Sequence, residues 1–225
     1  MKYLSKIIYI LIFLVMVTSP YAGHTYAEYA RQSTGEDSAR VSRFGITTTA
    51  TCNAFLVSYM GTGEYADETT VASTDGAKVF APGTSGILCE YHITGTPEVR
   101  TLVTKTATVT MNDQWTNDEG DFYCPLSFTI GETTVNGLNY TSSAALIAAL
   151  EAEMERGNGA YGTNYDFANA STSAVHNRVV YWHWPLEGAH GSEITQTMEN
   201  DNALGNKAVK PTFAVSFELT VEQVD

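Results

Sequence analysis

Basic residues are scarce in this chain: Lys and Arg together number 12 against 25 Asp and Glu, a formal charge of −13. Nucleic-acid affinity rests on basic side chains that displace counterions from phosphates, so DNA and RNA are excluded as expected partners. Charge of either sign is thin, at 16% of residues, below the usual quarter. Aromatics are not thin, with 13 Tyr and 9 Phe, which indicates a packed chain rather than a disordered one. Several chemical signatures are missing. The zinc-protease pattern H-E-x-x-H is absent, and none of His24, His92, His176, His183 and His190 pairs with another at helical ligand spacing. There is no G-x-S-x-G elbow, no phosphate-cradling glycine loop and no recognisable cysteine-nucleophile signature. No catalytic residue, no metal site and no cofactor is therefore expected, and the chain does not read as an enzyme.

Long apolar runs are missing too, with one exception at the start. Lys2 and Lys6 precede the apolar stretch 7–17, and Thr18, Ser19, Pro20 and small residues around Ala22 to Ala27 follow. A basic start, a short apolar middle and small residues at the exit form the layout of a secretory signal peptide. A bilayer span takes about 20 apolar residues, which this stretch does not reach. Residues 1–27 are read as the signal, with cleavage after Ala22 or Ala27. Its removal leaves 10 basic residues against 25 acidic ones. No Cys follows the apolar run to accept a lipid, and no apolar tail closes the chain. The expected product is secreted, soluble or held outside the cell by other proteins.

Residues 28–44 are polar, without a sustained period, and read as an extended arm. From there to the end, 45–225, the chain reads as one all-β domain. The stretch 44–59 is rich in Thr, Val and aromatics, and Ile46, Thr48, Ala50, Cys52, Ala54 and Leu56 fall on one side of a strand. Residues 61–76 read as a loop by composition. After the turn-forming run 81–86, Ile87, Cys89, Tyr91 and Ile93 alternate with Leu88, Glu90, His92 and Thr94, the period of a strand. Further strands are read at 99–111, at 123–130 with a hairpin into 133–135, and at 178–184. Phe213, Val215, Phe217, Leu219 and Val221 share one face of the strand 212–221; burying all five contributes on the order of 10 kcal/mol before entropy.

One helix stands out after Thr141 or Ser142, with Leu146, Leu150 and Met154 as its core-facing stripe and Gly157 as its stop. Residues 192–204 read as a second short helix or an ordered loop. About eight strands with one or two peripheral helices and an extended amino-terminal arm correspond to a β-sandwich or jelly roll.

Four local features carry candidate chemistry. Asn117, Asp118, Glu119, Gly120 and Asp121, with Asp113 upstream, are the densest acidic cluster; its register does not match a helix–loop–helix calcium loop, and a solvated acidic turn is the plainer reading. Asn139 and Asn169 begin glycosylation sequons. Trp182 and Trp184 share one strand face and Tyr181 takes the other, an arrangement that suits core packing or a carbohydrate-stacking platform. Cys52, Cys89 and Cys124 allow one disulfide with one thiol left over, or three small buried side chains.

Several stretches together resemble the TasA/camelysin-like exported proteins, whose members build extracellular biofilm fibres. They are the runs 39–46, 79–86, 93–99, 182–188 and 204–208, and the closing strand ending Gln223-Val224-Asp225. The runs Ala81-Pro82-Gly83-Thr84-Ser85-Gly86 and Ile93-Thr94-Gly95-Thr96-Pro97-Glu98-Val99 are the most specific, and the likeness extends over the whole mature chain. The resemblance implies a jelly-roll subunit of a homopolymer in the extracellular matrix or at the cell surface. It implies processing by a dedicated signal peptidase and contact with other matrix proteins. It also implies that the freed arm adds a strand to the neighbouring copy, with Tyr29, Ala30, Ala39, Val41 and Phe44 as its apolar anchors. Two other readings belong to different classes: a secreted metal-dependent peptidase, for which the chain offers no ligand motif, and a monomeric carbohydrate-binding sandwich built on Trp182 and Trp184.

Overall fold

The computed structural model describes residues 40–61, 67–169, 171, 174–186 and 195–224. The compact unit begins at Ser42. Among the described residues ten strands form: β1 (Thr47–Cys52), β2 (Ser58–Met60), β3 (Thr69–Ala72), β4 (Ser85–Thr94), β5 (Thr101–Met111), β6 (Ser127–Ile130), β7 (Thr133–Asn136), β8 (Gly159–Tyr161), β9 (Arg178–His183) and β10 (Phe213–Gln223). The described α-helices are α1 (Ser143–Met154) and α2 (Gln196–Asn206). All ladders are antiparallel. A five-stranded sheet runs β1-β4-β9-β6-β7, a three-stranded sheet runs β10-β5-β8, and β2-β3 is a separate hairpin.

The expected all-β sandwich is what forms. Aromatic stacking joins the two sheets: the Tyr91 and Phe217 rings lie 4.4 Å apart and those of Phe128 and Phe213 5.3 Å apart. Leu88, Leu126, Ile130 and Val180 fill the space between, fully buried. Helix α1 starts as read, with the Ser142 side chain accepting the N–H of Ala145, and it presents Leu146, Leu150 and Met154, all fully buried. Each such side chain contributes roughly 1.5–3 kcal/mol on leaving water. Helix α2 starts after the Thr195 cap, so the 192–204 segment is helical from Gln196 onward.

Four readings need correction. The stretch 44–59 is not one strand: β1 stops at Cys52 and the chain re-enters as β2 at Ser58, with Leu56 bridged to Val79 instead. The 61–76 loop holds strand β3, paired with β2. In β4 the register against β9 shifts between Ile87 and Cys89, a bulge. It puts Leu88 inside beside Cys89, Tyr91 and Ile93 and leaves Ile87 exposed, because one extra residue inverts the alternation beyond it. In β10 only Phe213 of the five inward residues is buried; Val215, Phe217, Leu219 and Val221 are half-exposed.

Turn chemistry explains the two most specific runs. Thr84 Oγ1 donates to the Ala81 carbonyl (2.6 Å) and accepts the Ala81 N–H (3.0 Å), while the Gly83 N–H donates to the Trp184 carbonyl at 2.9 Å. The 81–86 run is thereby tied to the end of β9. Gly95 sits at φ +120°, and a side chain there would run into the Gly45 carbonyl.

Candidate assembly interface

A sandwich made of two open sheets has exposed margins, and this fold treats them unequally. On the β8 side of the smaller sheet, β8 pairs with only Thr101–Val103 of β5. Beyond it, α1 and the turn after it cover the β5 backbone with side chains. Glu155 Oε1 accepts the Ala107 N–H (2.9 Å), Glu151 Oε1 accepts the Val109 N–H (2.8 Å), and Asn158 accepts the Lys105 N–H (2.7 Å) while donating to the Lys105 carbonyl (2.8 Å). Residues 151, 155 and 158 lie one turn apart, which aligns them along one strand. That margin is closed to strand addition.

Among the described residues, no strand is added at the opposite margins. β1 is the edge of the larger sheet and β10 the edge of the smaller one, and the two pass close together with no ladder between them. Thr48 and Ala50 of β1 stand opposite Ile93 and Tyr91 of β4, on the interior face, and both are exposed. In β10 the interior row opposite Val109, Ala107, Lys105 and Val103 is the half-exposed Val215, Phe217, Leu219 and Val221. The outward side of β10 carries Glu218 and Glu222, exposed. Where β1 ends and β10 begins, a cleft of about 830 Å³ opens, with Cys52, Phe55, Lys78, Trp184, Phe213 and Val215 among its walls. Its floor is firm: Trp182 Nε1 donates to the Ala54 carbonyl (2.7 Å), and Tyr59 Oη accepts the Leu56 N–H (3.0 Å) and donates to the Val79 carbonyl (2.9 Å).

Cys52 and Cys89, directly opposite each other in the β1–β4 ladder, form a disulfide with Cα atoms 4.1 Å apart. Cys124 is the third cysteine, buried as a free thiol, and burial pushes its pKa up to about 12. Of the two readings left open by the sequence, the first is what forms, one disulfide with one thiol left over; three small buried side chains do not.

A buried polar chamber lies under the three-stranded sheet. Lys105 occupies the interior row of β5 at 1% exposure. Its Nζ donates to the carbonyls of Arg156 and Val175 and lies 5.6 Å from the Tyr91 ring centre. Burial, and then the Arg178 charge, lower its pKa to about 8. Arg178 is paired with Glu153 at 2.8 Å. Burial pushes the Glu153 carboxyl up, but hydrogen bonds and charge from Arg178 and Arg156 outweigh it and hold the group below its ordinary value. His176 is fully buried among Tyr161, Tyr165 and Phe167, with neither ring nitrogen partnered among the described residues. Burial first, then Lys105 and Arg178, lower its pKa to about 4. Both Lys105 contacts tie the 156–175 segment to β5, so the chamber acts as an internal strut.

Among the anchors expected on the arm, Tyr29, Ala30 and Ala39 lie outside the described residues. Val41 is 92% exposed and Phe44 is half-buried. Arg43 is docked on its own domain, donating its N–H to Glu98 Oε2 (3.1 Å) and accepting the Glu98 N–H (2.9 Å). Trp182 and Trp184 are 1% and 4% exposed, the latter donating to Asp201 Oδ2 (3.1 Å), so these rings are core and offer no stacking face. In the acidic turn, Asn117 Oδ1 accepts the N–H groups of Glu119 (3.1 Å) and Asp121 (2.9 Å), closing the loop on itself. No group of three or more His, Cys, Asp or Glu suited to a metal occurs among the described residues. Asn139 and Asn169 are both exposed; His190 and the signal stretch lie outside the described residues.

No family model, no curated protein and no solved structure matches this chain.

Proposed function

We propose that this protein is a secreted structural subunit of extracellular biofilm-matrix fibres, a jelly-roll unit that polymerises by donating its 28–44 arm to the neighbouring copy. The observation that supports it is the asymmetry of the sheet margins. The β5 margin is capped by Glu151, Glu155 and Asn158, whereas the β1 and β10 margins meet with their interior rows uncovered. An incomplete sandwich of this kind presents unpaired N–H and C=O groups and apolar side chains, which an arriving extended segment satisfies together. Phe217, Leu219 and Val221 would gain burial on such an addition, at roughly 25 cal/mol per Å² of apolar surface covered.

The arm has few apolar side chains, so its pairing depends mainly on backbone hydrogen bonds at about 1 kcal/mol each. Arg43 and its Glu98 contacts root the arm on the donor's own domain. A segment that leaves one subunit and completes the next makes a head-to-tail contact that does not close, and it extends into a filament. Export and removal of residues 1–27 by a signal peptidase would release the arm, placing growth outside the cell and in reach of other matrix proteins.

The test is electron microscopy of the purified mature chain with and without residues 28–42. Filaments are expected from the intact chain alone. Filaments from the truncated chain, or none from the intact one, overturn the reading.

A further inference from the structure

Strand β1 has almost nothing to hold it by packing. Thr47, Thr48, Thr49, Ala50 and Thr51 are all exposed, and Cys52 is only half-buried. Among the described residues its ladder runs on one side only, to β4. The ordering entropy of six residues is comparable to what six water-exposed ladder positions return. The segment is pinned at either end, by Ile46 packed against the small cluster of Ile93, Val103 and Phe167 and by the Ala54 carbonyl against Trp182. Between those pins the one strong tie is the Cys52–Cys89 bond. Cys89 is fully buried in β4, which is itself paired with β9.

We propose that the Cys52–Cys89 disulfide is a redox latch on the sandwich margin: oxidised, it holds β1 as an ordered edge and as one wall of the cleft, and reduced, it releases 47–52 as a loop between its two pins. The chemistry is an exchange with a disulfide-class oxidant. The two thiols lose two protons and two electrons to form the S–S bond, and the oxidant's own S–S bond becomes two thiols. In reduction a small-molecule thiolate attacks the Cys52 sulfur, which belongs to the half-buried partner lining the cleft. Cys89 then leaves as the thiolate, and a second external thiolate attacks the external sulfur of the mixed disulfide, forming the external disulfide and releasing Cys52 as a thiol. Cys124, buried and with its pKa raised, stays out of the exchange. The latch concerns the edge itself; its bearing on assembly rests on the strand-donation reading, for which it would make the oxidising exterior a second condition beside arm release.

The experiment is hydrogen-exchange mass spectrometry on the mature chain, oxidised with glutathione disulfide or reduced with dithiothreitol, with non-reducing peptide mapping of both. A Cys52–Cys89 linked peptide and at least tenfold faster exchange over 47–52 after reduction, with 127–130 unchanged, are the expected results. Cys124→Ala should respond as the wild type does, and Cys52→Ala/Cys89→Ala should exchange rapidly under both conditions; if the double variant fails to fold, the two wild-type states carry the comparison. No linked peptide, or equal exchange in both states, overturns the latch. Imaging the same samples separates the two ideas: exchange that responds without filaments in either state supports the latch and counts against strand donation.

Discussion

Glu155 accepts the main-chain N–H of Ala107, a carboxylate at the cap of α1 standing where a neighbouring strand would otherwise be. With Glu151 on Val109 it closes the margin of the smaller sheet. Glu151→Ala with Glu155→Ala should leave two strand N–H groups without acceptors. Bonds to charged acceptors are worth about 1.5–3 kcal/mol each when buried and less where water reaches them. A combined loss of about 2–4 kcal/mol in urea denaturation is expected, with concentration-dependent association through the opened β5 edge in light scattering.

Acid should weaken the fold through the chamber around Lys105. His176 has a folded pKa near 4 against an ordinary value near 6.5, so the unfolded chain binds the proton first as pH falls. Stability contributed by keeping this ring neutral is complete above pH 6.5 and declines until pH 4, by about 3 kcal/mol at 1.36 kcal/mol per pKa unit. Glu153, held below its ordinary value, adds a loss in the same direction at the lower end of that range. His176→Phe should flatten the limb between pH 6.5 and 4 while leaving the Glu153 limb, as read from denaturation midpoints across pH.

Thiol counting checks the cysteine assignment. Native protein should give no reaction with an exposed-thiol reagent, since the one free thiol, Cys124, is buried with its pKa near 12. Denaturation without reductant should reveal one thiol, and denaturation with reductant three. Three free thiols after non-reducing denaturation would contradict the bond.

Gly95→Ala should be among the costliest single methyl additions in the chain. The residue stands at φ +120°, and the added carbon meets the Gly45 carbonyl, a backbone atom that cannot swing aside. A loss of roughly 2–4 kcal/mol is expected, visible as a lowered thermal midpoint. Gly120→Ala, at φ +89° with open space around it, should cost less.

Legibility in the sequence followed the range of the interactions. Helix α1 could be read because its cap, stripe and stop are local, and β5 because its alternation is strict. The β4 bulge at Leu88 was hidden, since it depends on the register chosen by β9. Lys105 inside the sandwich was hidden as well, because the two carbonyls that hold it lie 51 and 70 residues away. The roles of Glu151, Glu155 and Asn158 carried one faint signal, polar side chains along one line of an otherwise apolar helix and its exit. Nothing local linked Cys52 to Cys89, or showed that Val215 through Val221 would stand half-covered.

If copies join by strand donation as proposed, Glu151 and Glu155 bear on how many partners each can take. On the strand-donation reading, a β5 flank sealed in this way and a receptive flank at β1 and β10 would give each body a valence of one as host and one as guest. Material built this way lengthens without branching, and its thickness must come from contacts between finished threads rather than from the act of joining.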